Sequence, residues 1–285
     1  MSESSRIKQL GIIPRKSLGQ NFLVDADSAR RIVDLAQIQP NDLVFEIGPG
    51  LGALTKVIAA RAAHVIAIEL DRSLIPHLTE AVKDKTNVEI IHGDALDANY
   101  LLMAEAATVA RGTGAFGGVR FVGNLPYYIT SAAIRTILES GLSIASAVLT
   151  VQMEVAERAA AQPPDMSLLA VSVQFYGQAA VVFKLSPSAF YPQPSVESAV
   201  LRIMPHRQPL FADAALFFRW AKAGFSQPRK QLRNTLAAGL NLPKPEIEAV
   251  LAQAGIESTR RSETLNVREW VALAEAAAAA ASASQ

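Results

Sequence analysis

The sequence predicts an α/β fold, an open sheet with helices on both faces, followed by a small all-helical C-terminal domain. Three observations carry this expectation. Short apolar runs alternate with segments of helical spacing, a glycine-rich turn follows the first run, and no strand candidate appears after Pro205. The runs at residues 43–47, 65–70, 88–92, 119–123 and 147–152 have the length and β-branched content of buried strands. Between them, residues 28–37, 53–61, 73–83 and 131–140 space their apolar positions as helices do. Strand-helix alternation of this kind gives a parallel sheet.

Residues 178–185 and 198–204 read as two more strands. The segment 186–194 between them contains Pro187, Pro192 and Pro194 and is expected to be an extended loop. Residues 212–224, 229–239, 245–254 and 267–280 then show helical spacing, punctuated by glycine and proline. The expected division is a sheet domain over 1–205, opened by an arm over 1–24, and a helical domain over 206–285. No period of 20–50 residues is visible, which argues against a solenoid.

Half of the 285 residues are hydrophobic, enough for a substantial core. Cysteine is absent, which excludes disulfides, thiolate metal sites and cysteine nucleophiles. The histidines show no metal-ligand spacing, and no metal is expected. The N-terminal residues lack an apolar core of the secretory type, and no apolar run approaches a membrane span. A cytoplasmic protein without membrane attachment is therefore expected. Net charge is only +1, but residues 36–201 carry ten basic against fifteen acidic side chains, and residues 202–235 seven against one. That second block is the candidate for phosphate contacts, and a solvated helix face is the competing reading.

Gly48-Pro49-Gly50-Leu51-Gly52 follows the first strand. Glycines two apart let the backbone approach a ligand where a side chain would clash. Ala53 occupies the position where a dinucleotide fingerprint requires glycine, so the spacing suits a nucleoside cofactor without a pyrophosphate, S-adenosylmethionine above all. Glu69 ends the second strand and can accept from ribose hydroxyls, with Asp71 as the alternative. Asp94, after the third strand, can accept from an adenine amine.

Asn124-Leu125-Pro126-Tyr127 ends the fourth strand, where open α/β sheets place their ligands. The Asn124 amide oxygen can accept from an N–H. Pro126 stiffens the turn, which leaves the Leu125 carbonyl as a second acceptor. Tyr127 offers a face for base stacking. The combination suits holding a flat base by its exocyclic amine.

Two basic segments remain. Arg15 and Lys16 precede Gly19, Asn21 and Phe22, and the segment reads as an arm folding over the cofactor with Arg15 and Lys16 facing RNA. Pro228 suits the first position of a helix on which Arg229, Lys230 and Arg233 follow, with Arg229 and Arg233 four apart on one face.

The segments KSLGQNFL, EIGPGLGALT, IELD, GDAL, NLPYYIT, EVAER, AFYPQPSVESAVLRI, PRKQLRN and RSETLNVREW occur in this order. In them the chain, from about Arg15 to Ala274, resembles the KsgA (RsmA) small-subunit rRNA adenine dimethyltransferases. The resemblance implies a Rossmann-like, S-adenosylmethionine-dependent methyltransferase sheet. It also implies N6,N6-dimethylation of two adjacent adenines in a hairpin loop near the 3′ end of small-subunit rRNA. Asn21, Leu23, Gly48, Gly50, Glu69, Asp94 and Asn124 would contact the cofactor. The base site would comprise Asn124, Leu125, Pro126 and Tyr127, with Phe190 on the base's other face. The implied partner is rRNA in a partly assembled 30S subunit, met by a monomer. Met153, where the family has lysine, and the loop Gln162-Pro163-Pro164-Asp165-Met166 depart from the family pattern near the expected RNA side. The alternatives are a large-subunit rRNA methyltransferase of the macrolide-resistance type and a non-catalytic rRNA-binding assembly factor.

Overall fold

The computed structural model describes residues 3–112, 114–227 and 229–283. Its strands are β1 (Phe22–Leu23), β2 (Leu43–Ile47), β3 (His64–Glu69), β4 (Val88–His92), β5 (Val119–Asn124), β6 (Ile144–Gln152), β7 (Gly177–Leu185), β8 (Phe190–Tyr191) and β9 (Ser198–Pro205). Seven of them form one sheet in the order β4-β3-β2-β5-β6-β9-β7. The pairs from β4 to β6 are parallel, and β9 runs antiparallel to β6. The sheet is thus mixed, with a parallel block of five strands.

Parallel strands are covered on both faces, and β2 shows what that demands of a sequence. All five of its residues, Leu-Val-Phe-Glu-Ile, are buried. Helix Ala26–Leu35 packs Ala29, Ile32 and Val33 into the same core as Val44, Val122 and Val148. Its first turn is closed by the Asp25 carboxylate, which accepts from the Ser28 N–H at 2.9 Å.

The sequence reading leaves residues 186–194 as a loop, and the structure corrects it. Pro187–Ala189 forms a 3₁₀ turn and β8 follows, pairing antiparallel with β1. The two-residue ladder, Phe22 opposite Tyr191 and Leu23 opposite Phe190, ties the N-terminal arm to this segment. Helices without a counterpart in the sequence-based expectations also appear, among them Glu3–Gln9, Tyr100–Arg111 and Leu168–Tyr176.

The chain divides into two compact units. One runs through Ala156 and takes in Ala180–Pro205, and the other comprises Glu157–Ala179 and the residues from His206 on. Residues 157–179 thus fall outside the sheet unit, although the sequence reading places 1–205 in one domain. The cause lies in the helical unit's core. Met166, Val171 and Phe175 are buried in one cluster with Phe217, Trp220 and Trp270, and Phe175 stacks on Phe217 at 4.2 Å between ring centroids. The departing loop 162–166 ends in this core through Met166, whose N–H donates to the Glu263 carbonyl at 3.0 Å.

Gly224 ends helix Ala214–Gly224 against Trp270, and a Cβ there would sit 2.3 Å from the indole ring. Gly224→Ala should therefore overpack this core and lower stability by roughly 1–3 kcal/mol. The check is a urea titration, where the midpoint should fall with the slope unchanged.

Candidate functional site

Parallel pairing brings the C-terminal ends of four strands to one edge. Ile47 lies opposite Ile68 and Gly123, and Glu69 lies opposite His92. From β2 the chain moves outward to β3 and β4, then returns to β5 on the other side of β2. The loops diverge at this switch point, where such sheets open a crevice. A cleft lies there, lined by residues from the loops after all four strands.

Asn21, Gly48, Gly50, Glu69, Asp94, Asn124, Leu125, Pro126 and Tyr127 all line this cleft. Gly48 and Gly50 have positive φ, +68° and +55°, so a side chain at either would be strained. A Cβ would lie 3.3 Å from the Asn124 carbonyl at Gly48 and 3.2 Å from the Phe22 ring at Gly50. The glycines keep a cradle of bare backbone against the cleft.

Glu69 anchors that cradle. Its carboxylate accepts from the Gly50 N–H at 2.9 Å and the Asp71 N–H at 2.8 Å. Burial pushes its pKa above the usual carboxylate range, against the pull of these two N–H groups. Asp71, the alternative ribose ligand, lies two residues past the end of β3. It accepts from Gln20 Nε2 at 2.7 Å and the Ser73 hydroxyl at 2.6 Å, and pairs with Arg15 at 3.2 Å. Asp94 accepts from the Leu96 N–H at 2.9 Å, which fixes its carboxylate at the cleft wall.

Asn124 is oriented by the arm, since its Nδ2 donates to the Asn21 carbonyl at 2.8 Å. Oδ1 is then the acceptor left to the cleft. The Leu125 N–H donates to Thr150 at 3.1 Å, while its carbonyl accepts no hydrogen bond among the described residues. The half-buried Tyr127 shares a hydrogen bond with the buried Ser198 hydroxyl at 2.8 Å. Burial raises its phenol pKa, and that hydrogen bond opposes the rise.

Two expected residues lie elsewhere. Phe190 is 2% exposed and packs in the sheet core with Leu23, Ile32 and Val200, so its ring does not line the cleft. Leu23, its ladder partner, is buried in the same cluster. Both side chains belong to the β1–β8 joint. Tyr128, which the sequence reading does not single out, lines the cleft and is 59% exposed. Its ring lies 3.5 Å from where a Gly19 Cβ would be. The adjacent tyrosines in NLPYYIT are the sequence feature that could have drawn attention to it.

The basic residues are also redistributed. Arg15 pairs with Asp71, and Lys16 opens the 3₁₀ turn Lys16–Leu18 of the arm. In the helical unit the helix starts at Leu232, with Gln231 as its cap. Arg229 and Lys230 therefore precede it, and Arg229 and Arg233 do not share a helix face. Arg233 pairs with Glu248 at 3.0 Å. The Pro228 expectation lies outside the described residues. Arg219 and Lys222 do share an exposed face of helix Ala214–Gly224, three positions apart.

Beneath the glycine loop, on β2, Glu46 is fully buried and its carboxylate makes no well-formed hydrogen bond. Burial pushes its pKa up to about 8 and the Glu69 carboxylate adds to the rise, while the neighbouring Thr55 hydroxyl and N–H pull the other way. The folded state thus holds a proton that the unfolded chain releases near 4.5. Stability from this site is complete below the unfolded value and declines as pH rises toward the folded one. We expect the urea midpoint to fall between about pH 5 and about pH 8, and Glu46→Gln to flatten that decline.

A family model described as ribosomal RNA adenine dimethylase matches residues 13–278. The ribosomal RNA small subunit methyltransferase A of Moorella thermoacetica is 43% identical over 271 residues, covering 94% of this chain and 93% of that protein. Its Geobacillus kaustophilus counterpart is 40% identical over 281 residues, covering 95% and 94%. Among solved structures, a dimethyladenosine transferase from Plasmodium falciparum superposes with a TM-score of 0.74 at 25% identity, covering 87% of this chain and 94% of that one. The 23S rRNA methyltransferase ErmE gives 0.69 at 28% identity, covering 90% and 99%.

Proposed function

The chain belongs to the ribosomal RNA adenine dimethylase family, and from that premise we propose that it dimethylates two adjacent adenines of small-subunit rRNA at N6, using S-adenosylmethionine. The observation that carries this reading is the cleft that Asn124 and Leu125 line together with the glycine loop, the Asn124 amide nitrogen being committed to the arm. The residues present fit the cofactor. Gly48 and Gly50 line the cleft in left-handed conformations that bring the loop against its wall, and Glu69 and Asp94 supply acceptors for hydroxyl and amine groups. When bound, S-adenosylmethionine supplies an electrophilic methyl group whose transfer leaves a neutral thioether.

The protein's own task is then to make an adenine amine nucleophilic. Its lone pair is delocalised into the ring. Accepting both N–H bonds at Asn124 Oδ1 and the Leu125 carbonyl favours a tetrahedral nitrogen with the lone pair directed at the methyl group. These acceptors are fixed before the reaction, so they stabilise the transition state at little reorganisation cost. Positioning supplies most of the remainder. Tyr127, held by Ser198, offers one ring for stacking, and Tyr128 a second, more exposed one. The amine loses a proton for each methyl gained, and solvent can accept it.

The ErmE likeness keeps large-subunit rRNA as the second reading. Relatives at 40% identity and above carry the small-subunit name and favour the first. Purified small and large subunits incubated side by side with labelled cofactor separate the two. Label in small-subunit rRNA alone is expected, and label confined to large-subunit rRNA would overturn the proposal.

RNA contacts are proposed at Lys16 and Arg15 on the arm and at Arg229, Lys230 and Arg233 in the helical unit. The triple replacement of Arg229, Lys230 and Arg233 by alanine should weaken RNA binding and reduce its salt slope by about one unit per lost phosphate contact. Arg233 should contribute least, because Glu248 already neutralises it. Filter binding at several salt concentrations measures this, and S-adenosylmethionine affinity should not move.

A further inference from the structure

We propose that Asp71 is a positioning residue that latches the arm, residues 15–22, across the cofactor cleft. This rests on the reading of the cleft given above. Asp71 is 2% exposed, yet two of its three side-chain partners come from the arm, about fifty residues away. Its carboxylate accepts from Gln20 Nε2 and pairs with the Arg15 guanidinium, which is itself 55% exposed. The arm is wound to present both groups at once. Gln20 Oε1 accepts from the Arg15 N–H at 2.7 Å, and Gly19 takes the left-handed conformation at the end of the intervening turn. The hydrogen bonds from Ser73 and Gln20, with the Arg15 charge, hold the Asp71 carboxyl below its usual range despite its burial.

The latch matters because the same arm also touches the Asn124 segment and the glycine loop. Its Asn21 carbonyl accepts from the Asn124 amide and so sets which end of that amide meets the substrate. Its Phe22 ring lies against Gly50 in the glycine cradle. Next to the latch, Glu69 grips both the Gly50 and the Asp71 N–H. One carboxylate thus closes the arm over the cleft while its neighbour holds the floor. On this account Arg15 acts first on Asp71, and its removal should change cofactor binding even with no RNA present.

The test compares Asp71→Asn, Gln20→Ala and Arg15→Ala. Asparagine at 71 can still accept from Ser73, so the turn after β3 is kept while the charge is lost. Arg15 and Gln20 sit on the arm, and their replacement leaves the sheet core intact. Hydrogen exchange of residues 15–22 in ligand-free protein should quicken by roughly tenfold to a hundredfold in Asp71→Asn, the scale of a lost hydrogen bond to a charged group. S-adenosylmethionine titrations should show weaker binding of similar size, with the thermal midpoint little changed. Arg15→Ala should add little in the Asp71→Asn background, because both remove the same latch. Unchanged exchange in Asp71→Asn, or an Arg15→Ala variant that alters RNA binding alone, would overturn the latch. The exchange measurement needs no cofactor, so failure of the wild-type protein to bind S-adenosylmethionine would overturn only the reading of the cleft.

Discussion

Asn124→Ala should cut methyl transfer by roughly 10²–10³-fold while leaving cofactor affinity nearly unchanged, as losing one preorganised polar group does at other polar transition states. The amide has its nitrogen end committed to the arm through the Asn21 carbonyl. The oxygen end is therefore available at the cleft without a prior rotation. Alanine removes that acceptor and also frees the arm at one point. A fall in turnover at saturating cofactor and RNA identifies the first effect. A rise in the cofactor's apparent dissociation constant would identify the second. Asn124→Asp keeps the shape and an acceptor but loses the donor to Asn21, so it should retain more activity than alanine. Wild-type turnover in Asn124→Ala would remove the amine-accepting role altogether.

Glu69→Ala should weaken S-adenosylmethionine by ~1.5–3 kcal/mol, the range for hydrogen bonds to a charged group. The structure gives two reasons for the loss. The proposed ribose acceptor disappears, and the Gly50 and Asp71 N–H groups lose their common partner. Glu69→Gln separates them, since the amide can accept from only one of those N–H groups. Calorimetry should place it between wild type and alanine. An alanine variant with unchanged affinity would move the ribose contact away from the end of β3. Asp71 would be a poor substitute, since Arg15, Gln20 and Ser73 already occupy its carboxylate.

The parallel strands are legible as short apolar runs, and most of the helices between them as amphipathic segments. The same holds for the glycine cradle and for Glu69, Asp94 and Asn124, each of which sits at a strand's end where chemistry is exposed. Helix Tyr100–Arg111 was not assigned, since apolar residues spread around it and blur its period. Its ends were nevertheless written in the chain. Asn99 accepts from the Leu102 N–H at 3.0 Å, and Gly112 closes the helix at φ +67°. Helix Leu168–Tyr176 carries Val171, Val173 and Phe175, residues common in strands, and its identity is settled by burial against Phe217. The three prolines suggest an open loop over 186–194, and the family resemblance alone places Phe190 at the base. Pairing with β1 instead turned its ring into the core. The latch at Asp71 could not be read, because nothing local relates residue 71 to residues 15 and 20.

The helical unit borrows residues 157–179 from within the span that builds the sheet, and this imposes an order on biosynthesis. By the time Pro205 has been made, every strand of the seven-stranded sheet exists. Met166, Val171 and Phe175 have also been made, yet Phe217, Trp220 and Trp270 have not. A nascent chain at this point carries Met166, Val171 and Phe175 before their core partners are made. A fragment stopped at residue 205 would keep those side chains without their partners, so a cut at the end of β9 does not separate the two units.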